Sequence, residues 1–274
     1  MSYISRHFVN DKFSYKGAKK EDILRIKSLR IPPMWSNVKI DKSGNAKIQA
    51  TGYDSKGRKQ YIYNKDFVEK NKKLKFNKLK TFNYAKYSKV INHYISKDDL
   101  SKECVIANML KLMEDLCIRV GNESYKKENG SYGITTLLKT HHKNNTLSFV
   151  GKKGIAHIKN ITNPKSQIFI KRVLSIRGPN LFYYKSGNVI NSSDLNKFLK
   201  EKVQNNITCK DIRTYCANRL FVNFMKGITR GSSEKERKKQ VNEGVDHTAK
   251  HLGNTRKICK DSYLCPKNIN KFLL

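Results

Sequence analysis

Near the end of the chain, Ala249-Lys250-His251-Leu252-Gly253-Asn254-Thr255-Arg256-Lys257-Ile258-Cys259-Lys260-Asp261-Ser262-Tyr263 sets a phenol among cations. A phenol ionises only near pH 10 (roughly), so nearby positive charge is what a tyrosine needs to become a nucleophile. Transesterification of a phosphodiester has two further requirements. Fixed cations must neutralise the non-bridging oxygens in the transition state, and a donor must protonate the leaving alkoxide. Arginine suits the first role because its planar fork matches phosphate and keeps its charge. Lysine suits the second because neighbouring cations lower its pKa. Arg119 at a helix end, Lys152 in a hairpin turn and Arg213 early in a helix offer those types. Taken singly, each is an ordinary surface charge and Tyr263 an ordinary packing phenol, so the wider chain has to decide.

Charge narrows the partner. Among 274 residues, 57 Lys and Arg stand against 22 Asp and Glu, a net charge of +35. That excess points to a polyanion, first of all nucleic acid, whose phosphates release counterions when neutralised. A membrane surface is the rival. No 18-residue apolar run, signal-peptide core or lipidation motif is present, so neither spanning nor secretion is expected. Hydrophobic residues at 38% and aromatics at 10% describe a folded chain. Cys104, Cys117, Cys209, Cys216, Cys259 and Cys265 form no C-x-x-C pair, which favours buried reduced thiols over zinc or disulfides. The histidines also lack metal-ligand spacing.

The elements that must position these residues fall into two regimes. Residues 1 to about 70 read as strands and turns. Gln60-Tyr61-Ile62-Tyr63 alternates, placing Tyr61 and Tyr63 on one strand face, and Ile31-Pro32-Pro33-Met34-Trp35 reads as an extended core-packing element. The charged stretch over 69–76 suggests a linker, giving a β-rich domain over 1–72 and a mainly helical domain over 73–274. In the second, Asn77 to Ile95 reads as a basic amphipathic helix. Ser101 to Val120 is the clearest helix, with Val105, Met109, Leu112, Met113 and Leu116 on one stripe. Thr146–Val150 and Ile155–Ile158 flank Gly151-Lys152-Lys153-Gly154 as a β-hairpin. Residues 163–187 are mixed, and Ser193–Val203 looks helical. Thr208 caps a helix over Lys210–Met225 whose buried stripe leaves Arg213 off centre. Ser233-x-x-Glu236 is a capping box that starts a solvated helix. Gly253 reads as a helix stop and Thr255 as the next cap.

Five motifs, in order, resemble type IB DNA topoisomerases of the compact kind found in poxviruses, giant viruses and some bacteria. Gly52 to Tyr63 resembles the DNA-clasping strand pair of the poxvirus enzymes. Cys117-Ile118-Arg119-Val120-Gly121-Asn122-Glu123 with Glu128 to Leu137 resembles the first-arginine motif. Phe149-Val150-Gly151-Lys152 resembles the catalytic-lysine hairpin, and Lys210-Asp211-Ile212-Arg213-Thr214-Tyr215 the second-arginine motif. Leu252-Gly253-Asn254-Thr255 through Ser262-Tyr263 resembles the nucleophile segment. Together these cover nearly the whole chain.

The resemblance implies an α+β fold, with a small β-rich N-terminal domain and a larger mainly helical catalytic domain of the topoisomerase IB and tyrosine recombinase type. It implies that Tyr263 forms a 3′-phosphotyrosyl link, that Arg119 and Arg213 clamp the phosphate, and that Lys152 protonates the 5′-oxygen. Adjacent Lys153 is the alternative acid, and family position favours Lys152. Asn254 stands where the poxvirus enzymes carry a phosphate-binding histidine, and Asn can still donate a hydrogen bond. Fewer residues follow Tyr263 than in the poxvirus enzymes. Lys56, Arg58, Gln60, Tyr61 and Tyr63 are carried over as a major-groove surface, with Gln60, Tyr61 and Tyr63 as a shared face. Tyr125, Lys126 and Lys210 are further candidate DNA contacts. The expected partner is duplex DNA, clamped by a monomer, with no membrane, no metal, no ATP and no Mg²⁺ requirement. The pox-like N-domain and the Lys- and Asn-heavy composition point to a large DNA virus, with the protein in the virion or host cytoplasm, and otherwise to a nucleoid-associated protein. Two alternatives stand beside this. A tyrosine recombinase shares fold and chemistry, but typically has His where Lys210 stands. A non-catalytic architectural DNA-binding protein would need only the charge.

Overall fold

The computed structural model describes residues 3–185 and 187–274. Two compact units divide the chain, Met1–Lys80 and Thr81–Leu274.

The first unit is an antiparallel sheet with two helices. Its elements are β1 (Tyr3–Val9), β2 (Lys12–Lys16), α1 (Asp22–Ser28), β3 (Ser36–Asp41), β4 (Ile48–Tyr53), β5 (Lys59–Tyr63) and α2 (Lys65–Lys80), with strand order β2-β1-β3-β4-β5. Strand alternation sorts the two faces. Ile4 pairs with Ile40, Ile40 with Ala50, and Ala50 with Ile62. This apolar row closes against Val38 and Ile26 of α1, with Trp35 packed partly buried beside it. On the opposite face Lys39 pairs with Thr51, and Thr51 with Tyr61. Gly52 lets Trp35 approach, since a Cβ there would lie 2.9 Å from its ring.

The charged stretch expected to be a linker lies inside α2, so a break at 72/73 would fall within a helix. Lys, Glu and Leu support a helix, and the stretch holds no Gly or Pro to stop one. The single helix expected from Asn77 to Ile95 is also two. The chain turns at Thr81-Phe82-Asn83, and the Asn83 side chain accepts from Lys86 N to cap α3 (Tyr84–Ser96).

The second unit is mainly helical around a small three-stranded sheet. After α3 come α4 (Lys102–Leu116), α5 (Glu123–Asn129), β6 (His142–Lys143), β7 (Thr146–Val150), β8 (Ala156–Asn160), α6 (Pro164–Leu174), α7 (Ser192–Phe198), α8 (Cys209–Lys226), α9 (Glu234–Leu252), α10 (Arg256–Ser262) and α11 (Pro266–Leu273). Ser101 caps α4, and Val105, Met109, Leu112 and Met113 are buried as their spacing requires. α8 packs against α4, α9 and α11. Glu114 of α4, buried, accepts from Arg219 of α8 at 2.5 Å and from Tyr84 Oη at 2.7 Å, tying three helices. All six cysteines are free, and all but Cys265 are buried. The whole is α+β, a small sheet-based unit followed by a larger helical one.

Candidate active site

Arg119 is placed by a helix end and a glycine contact. α4 stops at Cys117, which takes a left-handed φ of 53°. The chain then pairs with the segment after α5: Ile134 N donates to Arg119 O and Thr135 N to Val120 O, both at 2.8 Å. Gly133 makes this possible. A Cβ there would lie 2.4 Å from Gly121 N and 2.6 Å from Arg119 O, backbone atoms that cannot yield.

Arg213 is one turn into α8 and is buried at 3% exposure, not at the edge of the buried stripe as the helical spacing suggests. Its Nη2 donates to Leu252 O at 2.5 Å. Lys159 of β8 donates to the neighbouring His251 O, also at 2.5 Å. Two cations thus satisfy the free carbonyls at the end of α9, where the helix dipole favours positive charge. Burial lowers the pKa of both side chains. Gly253 ends α9 with φ 59°, and Thr255 Oγ1 accepts from Ile258 N to start α10, as the sequence indicates.

The turn between these helices carries Asn254. Its Oδ1 accepts from Arg119 Nη2 at 2.7 Å, so residues 135 positions apart meet. Tyr263 follows α10. Asn218 of α8 donates to Tyr263 O at 2.8 Å, while its Oδ1 accepts from Cys265 N at 2.8 Å. α8 therefore supplies both the buried guanidinium and the clamp on the tyrosine backbone. The Arg213 guanidinium carbon lies 5.5 Å from the Tyr263 ring centroid.

Electrostatics at the phenol follow from that geometry. Burial alone raises its pKa. Arg213 and Arg119, with hydrogen bonding from Arg213 and Asn254, outweigh burial and hold it below the ordinary phenol value. The buried Arg213 Nε and Asn254 Nδ2 close no hydrogen bond of good geometry, although Asn254 lies near enough to favour the phenolate. Two guanidinium charges and the Asn254 amide thus converge beside the phenol, an arrangement suited to a tetrahedral anion. Arg256, one of the cations near Tyr263 in sequence, has another role: its Nε pairs with Asp246 of α9 at 2.6 Å.

Lys152 sits in the turn between β7 and β8, within the expected hairpin, and the next residue, Lys153, takes a left-handed φ of 66°. The Lys152 ammonium is exposed, 5.6 Å from the ring centroid of Tyr125 on α5. Tyr125 is itself 49% exposed, and Lys126 pairs with Glu123 at 3.6 Å. Lys210 is exposed in the first turn of α8. The structure thus gathers Arg119, Arg213, Asn254 and Tyr263 directly. Lys152 stands apart from these four, with its ammonium over Tyr125.

In the first unit, Asp54 organises the β4–β5 turn. It accepts from Lys56 N and Arg58 N, both at 3.0 Å, from Arg58 Nε at 2.8 Å and from Gln60 Nε2 at 2.9 Å. The hydrogen bond from the Arg58 side chain is the main reason its pKa falls to about 2. Tyr61 and Tyr63 are exposed on one face of β5 with ring centroids 6.1 Å apart. Gln60 alternates to the other side, so the three do not form the shared face expected from the sequence. The tyrosine face instead includes Lys59, two residues before Tyr61 on the same strand, and Lys39, which is joined to it only once the sheet is assembled. Lys59 Nζ lies 5.8 Å from the Tyr61 ring.

Three residues of the second unit also escape the sequence reading. Asn218 gives no signal, because its partners at Tyr263 and Cys265 lie 45 and 47 residues away. His157 and Lys159 do leave one: alternation along β8 turns both to the same inward side. The His157 imidazole is buried, and its pKa is lowered to about 4 by burial first and then by Lys159, Arg213 and Arg119. The sign of the consequence is fixed. A folded-state pKa below the unfolded one near 6.5 favours the folded state fully above pH 6.5, and that advantage is lost as pH falls through 4. The loss is on the order of 2 kcal/mol. Denaturant titrations between pH 7 and pH 4 should show it, with a shallower slope in His157→Ala. His141, His142 and His247 are also held low and keep part of the slope.

Among the described residues, no group of three or more His, Cys, Asp or Glu could hold a metal ion, and no helix is long and apolar enough to cross a membrane. Comparison with known proteins gives the family. The eukaryotic DNA topoisomerase I catalytic-core family matches residues 58–272, and the N-terminal domain family of bacterial DNA topoisomerase IB matches residues 12–54. A DNA topoisomerase 1B of Acanthamoeba polyphaga mimivirus is 36% identical across 96% of this chain and 88% of its own length. The vaccinia virus (strain Copenhagen) DNA topoisomerase 1B is 29% identical across 78% of this chain and 68% of its own. The rabbit fibroma virus DNA topoisomerase 1 is 30% identical over similar shares. This chain belongs to the type IB DNA topoisomerase family. Neither the recombinase nor the purely architectural alternative is favoured by these relatives.

Proposed function

We propose that this chain relaxes supercoiled duplex DNA by reversible single-strand transesterification. Tyr263 Oη attacks a backbone phosphorus, forming a 3′-phosphotyrosyl bond as the bond to the 5′-oxygen breaks. Arg119, Arg213 and Asn254 hold the non-bridging oxygens, and Lys152 delivers a proton to the departing oxygen. The freed 5′-hydroxyl end swivels, then attacks the phosphotyrosine and restores the strand. Because the phosphodiester bond energy is kept in the covalent link, no ATP is required. The two arginines supply the positive charge that a metal ion would otherwise bring, so Mg²⁺ is not required. The observation that carries this reading is the Tyr263 phenol held below its ordinary pKa by guanidiniums from two distant motifs. Plasmid relaxation in EDTA without nucleotide is the test; a strict requirement for ATP would sink the reading.

The substrate is duplex DNA, clamped by a monomer. Lys56, Arg58, Gln60, Tyr61 and Tyr63 meet the DNA on one side, and Tyr125, Lys126 and Lys210 near the cleavage site. The open face of the first unit adds Lys59. If it contacts phosphate, Lys59→Ala should weaken binding on every sequence and reduce the salt slope by about one. Fluorescence titrations at several salt concentrations measure this, and an unchanged slope would remove Lys59 from the interface. Viral relatives support a source in a large DNA virus, with the protein in the virion or the host cytoplasm.

A further inference from the structure

Two glycines precede two of the candidate site residues: Gly151 stands before Lys152, and Gly253 before Asn254. One imidazole touches both. A Cβ on Gly151 would lie 2.7 Å from His157 Cδ2 and Nε2, and a Cβ on Gly253 would lie 2.3 Å from His157 Cε1 and 3.0 Å from Nε2. The outer edge of the ring is therefore wedged between the two backbones. Its flat face stacks on Phe149, centroids 5.0 Å apart and planes 21° apart, in the pair that faces it across the hairpin.

Gly253 has a conformational reason to be glycine, its φ of 59°. Gly151 has none. Its φ of −96° suits any residue, and apart from His157 the nearest atom to its missing Cβ is 3.6 Å away. The absent side chain serves only the approach of the imidazole. The two sides of the wedge are not held alike. The Asn254 turn is fixed independently by Arg213 and Lys159 on the α9 carbonyls and by Arg119 on Asn254 itself. The base of the Lys152 turn is held by Tyr132 N on Val150 O at 2.8 Å and Ser131 Oγ on Gly151 O at 3.3 Å. The turn closes on itself through Gly151 N on Ile155 O at 2.8 Å and Gly154 N on Gly151 O at 3.1 Å, and across from the Asn254 turn it is Gly151 that lies against the ring.

We propose that His157 is a positioning residue of the reaction, a neutral spacer that sets the Lys152 turn against the Asn254 turn and so aims the general acid. This rests on the reading of Lys152 as the proton donor. The ring works uncharged: protonation would add a cation beside Lys159, Arg213 and Arg119, the charged groups that face it. Losing the spacer lets the Lys152 turn relax while the arginine-bound phosphate site stays in place. The step that suffers is then protonation of the leaving oxygen, not phosphate binding or attack.

That distinction gives a test a merely structural role would not pass. A duplex with sulfur replacing the bridging 5′-oxygen releases a thiolate, which needs no proton because a thiol is far more acidic than an alcohol. Single-turnover cleavage would be measured on oxygen and sulfur duplexes with wild type, His157→Ala, Gly151→Ala and the double variant. On the oxygen duplex, His157→Ala should be slower by about ten- to a hundredfold, the scale of a small misplacement of a catalytic group. Gly151→Ala, which pushes on the ring instead of removing it, should also be slower. Sulfur should bring both back close to wild type. The double variant has no ring for the new methyl to meet, so it should be no slower than His157→Ala alone. Wild-type rates in His157→Ala, an equal deficit on both duplexes, or a double variant with multiplied deficits would each overturn the proposal. A wild type that forms no covalent adduct at all would instead overturn the reading of Tyr263 beneath it.

Discussion

Tyr263→Phe should leave DNA binding intact and eliminate the covalent protein–DNA adduct, with plasmid relaxation falling by at least about 10⁴-fold, as when a nucleophile is removed from an enzyme that acts through a covalent intermediate. The substitution deletes one oxygen. The ring stays against Arg213, and the backbone stays clamped by Asn218, so the fold has little reason to change. A gel that resolves free protein from its adduct, beside a plasmid assay, reads both outcomes. Retained adduct would show that another residue is the nucleophile. Lost binding would show that the phenol hydroxyl is needed for the complex itself. The purely architectural reading predicts no change in either assay.

Arg213→Ala should slow cleavage by about 10²–10³-fold, the cost of removing one preorganised donor from an oxyanion site. Two effects combine in this residue. Its charge is a chief cause of the lowered Tyr263 pKa, and its Nε is an unspent donor beside the phenol. Without it, burial of the phenol is opposed mainly by Arg119 and Asn254, so the phenol pKa rises and the pH profile of cleavage moves to higher pH. Arg213→Lys should not restore the rate, since an ammonium cannot hold Leu252 O and a phosphate oxygen with one planar fork. Stability falls too, because the Leu252 carbonyl at the end of α9 loses its partner. The kinetic claim is therefore read from the pH profile and from single-turnover rates at a temperature where the variant is folded. An unshifted profile would mean that Arg213 serves the helix end alone.

Much of the local structure was legible in the sequence for local reasons. Ser101, Thr255 and the Ser233–Glu236 box cap helices with their own side chains, and Gly253 ends one by a backbone conformation that needs no distant partner. The hairpin around Lys152 follows from alternation flanking a glycine-bounded turn. What failed also failed locally. The 69–76 stretch looked like a linker because it is charged, yet every residue in it is helix-competent. The helix expected over Asn77–Ile95 was broken by Asn83, whose capping competes with continuation. Gln60 was grouped with Tyr61 and Tyr63 by adjacency, where the period of two sends it to the other side of β5.

Ordered motifs in the chain by themselves determined the family and the candidate chemistry: a tyrosine, two arginines, a lysine, and an asparagine where a histidine was expected. Only the tertiary structure decided which cations surround the phenol of Tyr263. Arg256, near it in sequence, turns instead to Asp246. The charges that matter come from Arg119 and Arg213, on elements far away in sequence. Coulombic stabilisation depends on distance and burial in space, which a run of letters does not contain. The same holds for Asn254, joined to Arg119, and for His157, whose contacts with two glycines exist only once three loops have met.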